Sequence, residues 1–190
     1  MDLIENRTLD EIAVGDRAEI ERVLTQPDIA LFATVSADIN PSTLVDGEEE
    51  GPELTQGIAH GMWAGTLISA VLATRLPGPG TVHLGQTLTF HRPVNVGDRI
   101  VVRVEVTGID KATGQVTLDC TCVNAEGETI VSGQAEVQAP RTRIRRRIAR
   151  MPVSHLKAPG VRFGALVERA RALDPLLTTI VHPCDALSLG

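Results

Sequence analysis

The residues best suited to chemistry lie in two short stretches of the 190-residue chain. The first is Asp38-Ile39-Asn40-Pro41 with Thr43 shortly after it, and the second contains His60. Carboxylate and imidazole groups are the side chains that most often exchange protons in catalysis. Asp, Asn and Pro also favour turns, so the first stretch has a purely structural alternative. The elements that hold the two stretches decide whether they can meet.

A strand and a short helix are predicted to precede the first stretch. Residues 17–24 alternate as a strand that closes at Thr25. Thr25 could cap a helix that begins near Pro27, where a first-turn proline is tolerated, and runs to about Ser36. A loop rich in Asp, Gly and Glu then extends to about residue 53.

The second stretch begins an apolar segment, Ile58 to Thr74, that contains no charged residue. A segment that is apolar all round is either a membrane span or a buried helix. At 17 residues, with polar residues inside it, the segment is short for a span. It ends at the breaker Leu76-Pro77-Gly78-Pro79-Gly80. We therefore expect a buried central helix.

The remaining sequence alternates with the period of two that is typical of half-buried strands. Three such runs lie at residues 99–107, 115–122 and 129–137, separated by turns of hairpin length. Closely spaced strands of this kind predict an antiparallel sheet. One buried helix followed by a curved meander predicts an α+β fold, with the sheet wrapped around the long central helix.

The composition excludes several classes of function. With three Phe, one Trp and no Tyr, the core must be aliphatic, and the aromatic surface needed to stack single-stranded nucleic acid is missing. Residues 1–7 lack the basic flank and apolar run of a secretory signal. Three Cys are too few for a disulfide framework, and no metal spacing with His is present. We expect a cytoplasmic protein with no metal or cofactor of its own and no nucleic-acid or membrane partner.

A resemblance to a known family rests on the order and spacing of several motifs. They are the run from Phe32 to Thr43, Ala59-His60-Gly61-Met62, the breaker at 76–80, Leu84 to Phe90, and Pro93 to Asp98. Together they resemble the MaoC-like (R)-specific enoyl-CoA hydratase family over roughly residues 7–138. The resemblance implies a hot-dog fold, a homodimer or higher oligomer, and reversible hydration of trans-2-enoyl-CoA to (R)-3-hydroxyacyl-CoA. Coenzyme A would then enter only as part of the substrate.

The resemblance also implies roles for individual residues. In the family an Asp and a His five residues apart hold and activate the water; Asp38 matches that Asp, and Asn40 matches the Asn that shapes the loop. Gly61 would open the central helix and offer a backbone N–H where the helix dipole favours developing negative charge. Thr66 matches a small hydroxyl position facing the acyl pocket, with core filling as the alternative. His60 is a candidate substrate contact that could instead hydrogen-bond a loop near the helix start.

Thr43 departs from the family pattern, because it stands where the family has its His. Three interpretations follow. The domain is a weak hydratase that uses Asp38 alone, or another His substitutes, or the site binds acyl-CoA without hydrating it. The candidate substitutes are His60, His83 and His91, and the last two are predicted to lie on one face of a strand. Cleavage of the thioester, which needs one carboxylate and a water, is a further variant. The competing classes are thus an enzyme and a non-catalytic acyl-CoA-binding module.

The charge distribution divides the chain near Pro140. Residues 1–140 carry 8 basic and 21 acidic side chains, a net charge of −13, whereas residues 141–190 carry 10 and 3, a net charge of +7. The basic part opens with six Arg within residues 141–150. This run has three interpretations: an anion-binding patch, a solvated linker over 141–160, or a basic face docked on the acidic domain. Residues 161–190 resemble the start of a phosphate acetyl/butyryltransferase domain, so we expect a truncated transferase segment without transferase activity.

Overall fold

A computed structural model describes residues 3–38 and 58–147. The first compact unit of the chain spans Met1–Arg150. Asn40, Thr43 and the transferase-like segment at 161–190 lie outside the described residues, as does most of the predicted linker. The roles and the domain boundary assigned to them therefore stay predictions.

The described residues form two helices and seven strands around one core. In chain order the elements are β1 Leu3–Glu5, a 3-10 turn at Leu9–Glu11, β2 Arg17–Val23, α1 Gln26–Ser36, α2 Gly61–Thr74, β3 Val82–Phe90, β4 Arg99–Asp110, β5 Gln115–Val123, β6 Thr129–Gln138 and β7 Arg145–Arg147. Five of the strands form an antiparallel sheet in the order β2-β4-β5-β6-β3. Strands β2 and β3 are therefore its edges.

The core lies between α2 and one face of this sheet. Ile100, Val102, Val104 and Val106 of β4 alternate with more exposed residues, and all four are fully buried. Helix α2 packs against β4 and also touches β3 and β2. Burying one such aliphatic side chain stabilises the fold by about 1.5–3 kcal/mol. The predicted α+β hot-dog fold is confirmed, with α2 as its central helix.

Helix α1 begins and ends where the sequence signals predict. Asp28 accepts hydrogen bonds from both the backbone N–H (2.9 Å) and the hydroxyl (2.6 Å) of Thr25, the residue before the helix. Pro27 lies in the first turn. The helix ends at Ser36, because Ala37 adopts the left-handed conformation with φ of 56°. The chain thus turns away from α1 directly before Asp38.

The basic run of residues 141–147 is docked on the acidic unit. Strand β7 pairs with β1, and Arg143 forms ion pairs with Glu5 and Glu11. The buried side chain of Asn6 donates to the carbonyl of Thr142 and accepts from the N–H of Ile144, each at 2.8 Å. Part of the predicted linker is therefore a strand of the first unit. The sequence pattern did not indicate this strand, because a run of Arg is also typical of solvated chain.

The described part of the chain contains no helix that is long and apolar enough to cross a membrane. Helix α2, the segment for which that alternative was considered, has 14 residues. Its Trp63, Ile68 and Val71 are buried within the domain.

Candidate active site

A hydrogen bond joins the two chemically capable stretches. The Nε2 of His60 lies 2.9 Å from the backbone carbonyl oxygen of Asp38, so the imidazole carries its proton on Nε2 when it donates to that oxygen. His60 is only 3% exposed, and its ring lies against that of Phe32 with centroids 5.1 Å apart. The prediction that His60 could hydrogen-bond a loop near the helix start is confirmed. The bond brings Asp38, two residues beyond the end of α1, to His60, which directly precedes α2.

The end of α1 positions Asp38. The hydroxyl of Ser36 donates to the carbonyl of Phe32 at 2.7 Å and accepts from the N–H of Asp38 at 3.2 Å. With its backbone held at both the N–H and the carbonyl, Asp38 has a fixed position while the residue itself is exposed. These bonds fix the backbone of Asp38 beside His60.

Gly61 begins α2, where backbone N–H groups have no partner within the helix. The helix dipole makes this end favourable for negative charge. Among the described residues, a Cβ atom added at Gly61 would meet nothing within 4 Å, and Gly61 does not have a positive φ. The contacts of the described residues therefore do not require glycine here, whereas a ligand that approaches the backbone closely would.

A cavity of about 330 Å³ opens beside the start of α2. Its walls come from the start of α2, the segment after β3 and the start of β6. The lining residues are Ala59, His60, Gly61, Ala64, Phe90, His91, Arg92, Pro93, Val94, Ile130 and Val131. The wall is mostly apolar with a few polar groups, which is typical of a small-molecule site.

Two polar groups of the cavity wall have defined partners. The Nε2 of His91 lies 2.8 Å from the hydroxyl oxygen of Ser132. The guanidinium of Arg92 forms an ion pair with Glu128 at 2.9 Å. Within residues 3–38 and 58–147, no group of three or more His, Cys, Asp or Glu side chains could hold a metal ion.

The structure brings some of the predicted site residues together and separates others. His60 and Gly61 line the cavity, and Asp38 is tied to His60. Thr66 is not among the lining residues; its hydroxyl donates to the carbonyl of Trp63 at 2.7 Å.

The prediction that His83 and His91 share one face of a strand is wrong. Strand β3 ends at Phe90, and a bulge between His83 and Gly85 interrupts the two-residue alternation. Of the two histidines, His91 lines the cavity and His83 does not.

Sequence reasoning missed Arg92 and Ile130. Neither carries a motif signal of its own. Backbone bonds bring them together, because the N–H groups of His91 and Arg92 both point to the carbonyl of Ile130. A pairing across about 40 residues of sequence has no local signature.

Comparison with known proteins places this geometry in a family. Residues 11–129 match the model of the MaoC like domain. An (R)-specific enoyl-CoA hydratase from Rhodospirillum rubrum is 38% identical over 131 residues, which covers 69% of this chain and 90% of that protein. A 3-hydroxybutyryl-CoA dehydratase from Methylorubrum extorquens is 36% identical over 132 residues, covering 70% and 83%.

A solved structure agrees with these sequence relatives. The unliganded R-hydratase from Pseudomonas aeruginosa superposes with a TM-score of 0.75 at 39% identity, covering 80% of this chain and 97% of that one. The matches include α1, α2 and most of the sheet that surrounds the cavity. The chain therefore belongs to the MaoC-like domain family.

Proposed function

We propose that this protein catalyses the reversible hydration of trans-2-enoyl-CoA to (R)-3-hydroxyacyl-CoA. The observation that carries the proposal is the 2.9 Å hydrogen bond between His60 and Asp38, which sets a carboxylate-bearing loop beside the first turn of α2. Similarity to an (R)-specific enoyl-CoA hydratase from Rhodospirillum rubrum and to a 3-hydroxybutyryl-CoA dehydratase from Methylorubrum extorquens supports an acyl-CoA thioester as the substrate.

The reaction needs two kinds of group that this site contains. As water attacks the β-carbon, negative charge develops on the thioester oxygen and needs donors aimed at it. The N–H of Gly61 at the start of α2 supplies such a donor. A polar group must also hold the attacking water, and we assign this role to the carboxylate of Asp38, the residue whose backbone carbonyl is bonded to the cavity-lining His60. All the atoms that react come from the thioester and water, so the proposed reaction uses no separate cofactor.

Arg92 is a second reason to expect an anionic thioester. It is the arginine among the cavity-lining residues, and its side chain is 56% exposed although it pairs with Glu128. Residues 1–150, which make up this compact unit, carry 14 basic and 21 acidic side chains, a net charge of −7, which repels a substrate that carries phosphates. A cation at the edge of the cavity offsets part of that repulsion.

We further propose that the chain works as a homodimer paired through β3. This edge strand exposes three apolar side chains: Val82 at 56%, Leu84 at 47% and Phe90 at 48%. An exposed apolar edge is a template for strand pairing, and a second copy of the same edge is its self-complementary partner. Phe90 also lines the cavity, so a partner on this edge would lie beside the cavity.

The transferase-like segment supports a wider proposal. Residues 161–190 would belong to a phosphate acetyl/butyryltransferase domain. Such a domain, like the proposed hydratase, would act on acyl-CoA thioesters. The support is the sequence resemblance alone.

The hydration proposal is tested by following the loss of enoyl absorbance when the protein is incubated with crotonyl-CoA. We expect turnover by the native chain, a loss of about 10²-fold or more in Asp38→Asn, and faster turnover in Thr43→His, which restores a proton-accepting side chain. Asp10→Asn, an exposed carboxylate outside the cavity lining, is the matched control and should keep native activity.

Other outcomes of the same assay distinguish the alternatives. Binding of coenzyme A without turnover in any variant would contradict the hydratase proposal and identify a binding module. Release of free thiol would instead show cleavage of the thioester.

A further inference from the structure

We propose that His91 is the group that takes the proton from the attacking water and returns it to the substrate, in the absence of the family's His at position 43. This inference rests on the proposed hydration. It is carried by the position of His91, whose imidazole lines the same cavity as Gly61.

The main chain around His91 is held firmly. The N–H of His91 donates to the carbonyl of Ile130 at 2.8 Å, and that of Arg92 approaches the same oxygen at 3.4 Å. The side chain is fixed as well, because its Nε2 lies 2.8 Å from the hydroxyl oxygen of Ser132 on β6. A catalytic base needs this kind of support from rigid elements.

The other two histidines considered as substitutes fit less well. His60 is 3% exposed, and its Nε2 is bonded to the carbonyl of Asp38, so it serves to hold that loop. His83 lies at the opposite end of β3 and does not line the cavity. His91 is exposed and reaches the cavity, so it is accessible to substrate.

The hydrogen bond to Ser132 is compatible with either tautomer of His91, and the proposed role assigns the ring proton to Nε2. When Nε2–H donates to the Ser132 oxygen, Nδ1 of His91 has the lone pair that can accept a proton. The pairing of an imidazole with an orienting oxygen is a recurring arrangement for a general base. Asp38 then orients the water and need not accept its proton.

The proposed step balances without any further reactant. The water oxygen forms a bond to the β-carbon while its proton moves to Nδ1 of His91. The electrons of the α,β double bond shift toward the carbonyl, giving an enolate whose oxygen faces the N–H of Gly61. The imidazolium then delivers the proton to the α-carbon, the thioester carbonyl re-forms, and His91 is neutral again.

The test of His91 must leave the neighbouring groups of the cavity wall unchanged. Arg92 follows His91 in the chain and is paired with Glu128 from the β5–β6 turn, and His60 lies on the same cavity wall. The test therefore uses a variant that changes His91 while leaving Arg92, Glu128 and His60 in place.

The experiment compares His91→Gln with His83→Gln in the full chain, using crotonyl-CoA. Gln keeps a group that can hydrogen-bond Ser132 but cannot accept a proton. We expect kcat of His91→Gln to fall by about 10²–10⁴-fold with KM changed less than about threefold. His83→Gln should keep the native kcat and the native KM.

Three results separate this inference from the proposed function. An inactive native chain would contradict both. An active native chain with unchanged kcat in His91→Gln, or with a loss confined to KM, would overturn the role of His91 alone. Ser132→Ala is a second variant that keeps the imidazole; it should lower kcat less than His91→Gln does, and an equal or larger kcat loss would also overturn the inference.

Discussion

His60 shapes the site by its burial and by its hydrogen bond to the backbone of Asp38. A buried imidazole needs hydrogen-bond partners, and the carbonyl of Asp38 supplies one. The sequence allowed this bond to be predicted as an alternative, because His60 precedes the helix start. The chemistry available at Asp38 depends on it, since the bond fixes the residue that carries the carboxylate.

The residues of the site were predictable to different degrees. Asp38 and Gly61 carry motif signals in their own segments. Arg92 and Ile130 do not, because their place in the cavity follows from the pairing of distant segments of chain. The hydroxyl of Thr66 is bonded to a carbonyl of its own helix, which a match of residue type could not reveal.

At the residue scale, Cys120 and Cys122 are expected to be unreactive thiols. Burial, with the charge of Asp119 as a second cause, raises the pKa of Cys120 to about 12, and burial also raises the pKa of Cys122 to about 12. At pH 8 the thiolate fraction is then roughly a thousandfold smaller than for an ordinary Cys. Alkylation followed by peptide mass mapping should label neither residue in the native protein and both in urea. Rapid native labelling of Cys120 would contradict this packing.

At the scale of elements, the alternating runs of sequence predicted the strands well because burial on one face forces a period of two. The inner residues of β4 and β5 are buried as expected, and the segment at 58–74 contains the central helix. Strand β7 was not predicted, since its pairing with β1 depends on a partner about 140 residues away. The only residue of the sequence that indicates the bulge in β3 is Gly85, since a glycine inside a strand is compatible with a bulge.

The capping box of α1 gives a prediction for stability. Asp28→Ala should lower the free energy of unfolding by about 1 kcal/mol, because it removes the acceptor for the Thr25 N–H and hydroxyl and the partner of Arg22. Urea unfolding at pH 7 measures the loss. Asp10→Ala, in an exposed turn, is the control and should change stability by less than about 0.5 kcal/mol.

The same variant should show a defined pH dependence. Burial raises the pKa of the Asp28 carboxyl, but the hydrogen bonds from Thr25 and Arg22 outweigh burial and hold the pKa below its usual range. A lowered folded-state pKa adds stability that is present above the unfolded pKa and lost as the pH falls through the folded one. The difference between the native protein and Asp28→Ala should therefore shrink below about pH 4. A difference that grows on acidification would contradict the capping role.

At the scale of the whole molecule, the exposed edge of β3 indicates how two copies would associate. The prediction is that the native chain is a dimer by analytical ultracentrifugation and that Leu84→Asp is a monomer. A charge placed on the edge opposes pairing because the partner brings the same charge to the same place. Val14→Asp changes an exposed apolar residue outside the sheet and should remain dimeric. A monomeric native chain would rule out this interface.

The proposed hydration depends on the backbone N–H of Gly61, at the start of α2, as the group that holds the thioester oxygen. Gly61→Ala tests it most directly, since an added Cβ meets nothing within 4 Å among residues 3–38 and 58–147 and would lie against a ligand bound at this helix end. We expect its unfolding curve to match that of the native chain within about 0.5 kcal/mol. Its kcat/KM for crotonyl-CoA should fall by about 10²-fold, because the oxygen is displaced from the N–H. Gly108→Ala, which would make an ordinary contact with Thr117 outside the cavity, should keep native activity. Native kcat/KM in Gly61→Ala would contradict a thioester bound at this helix end.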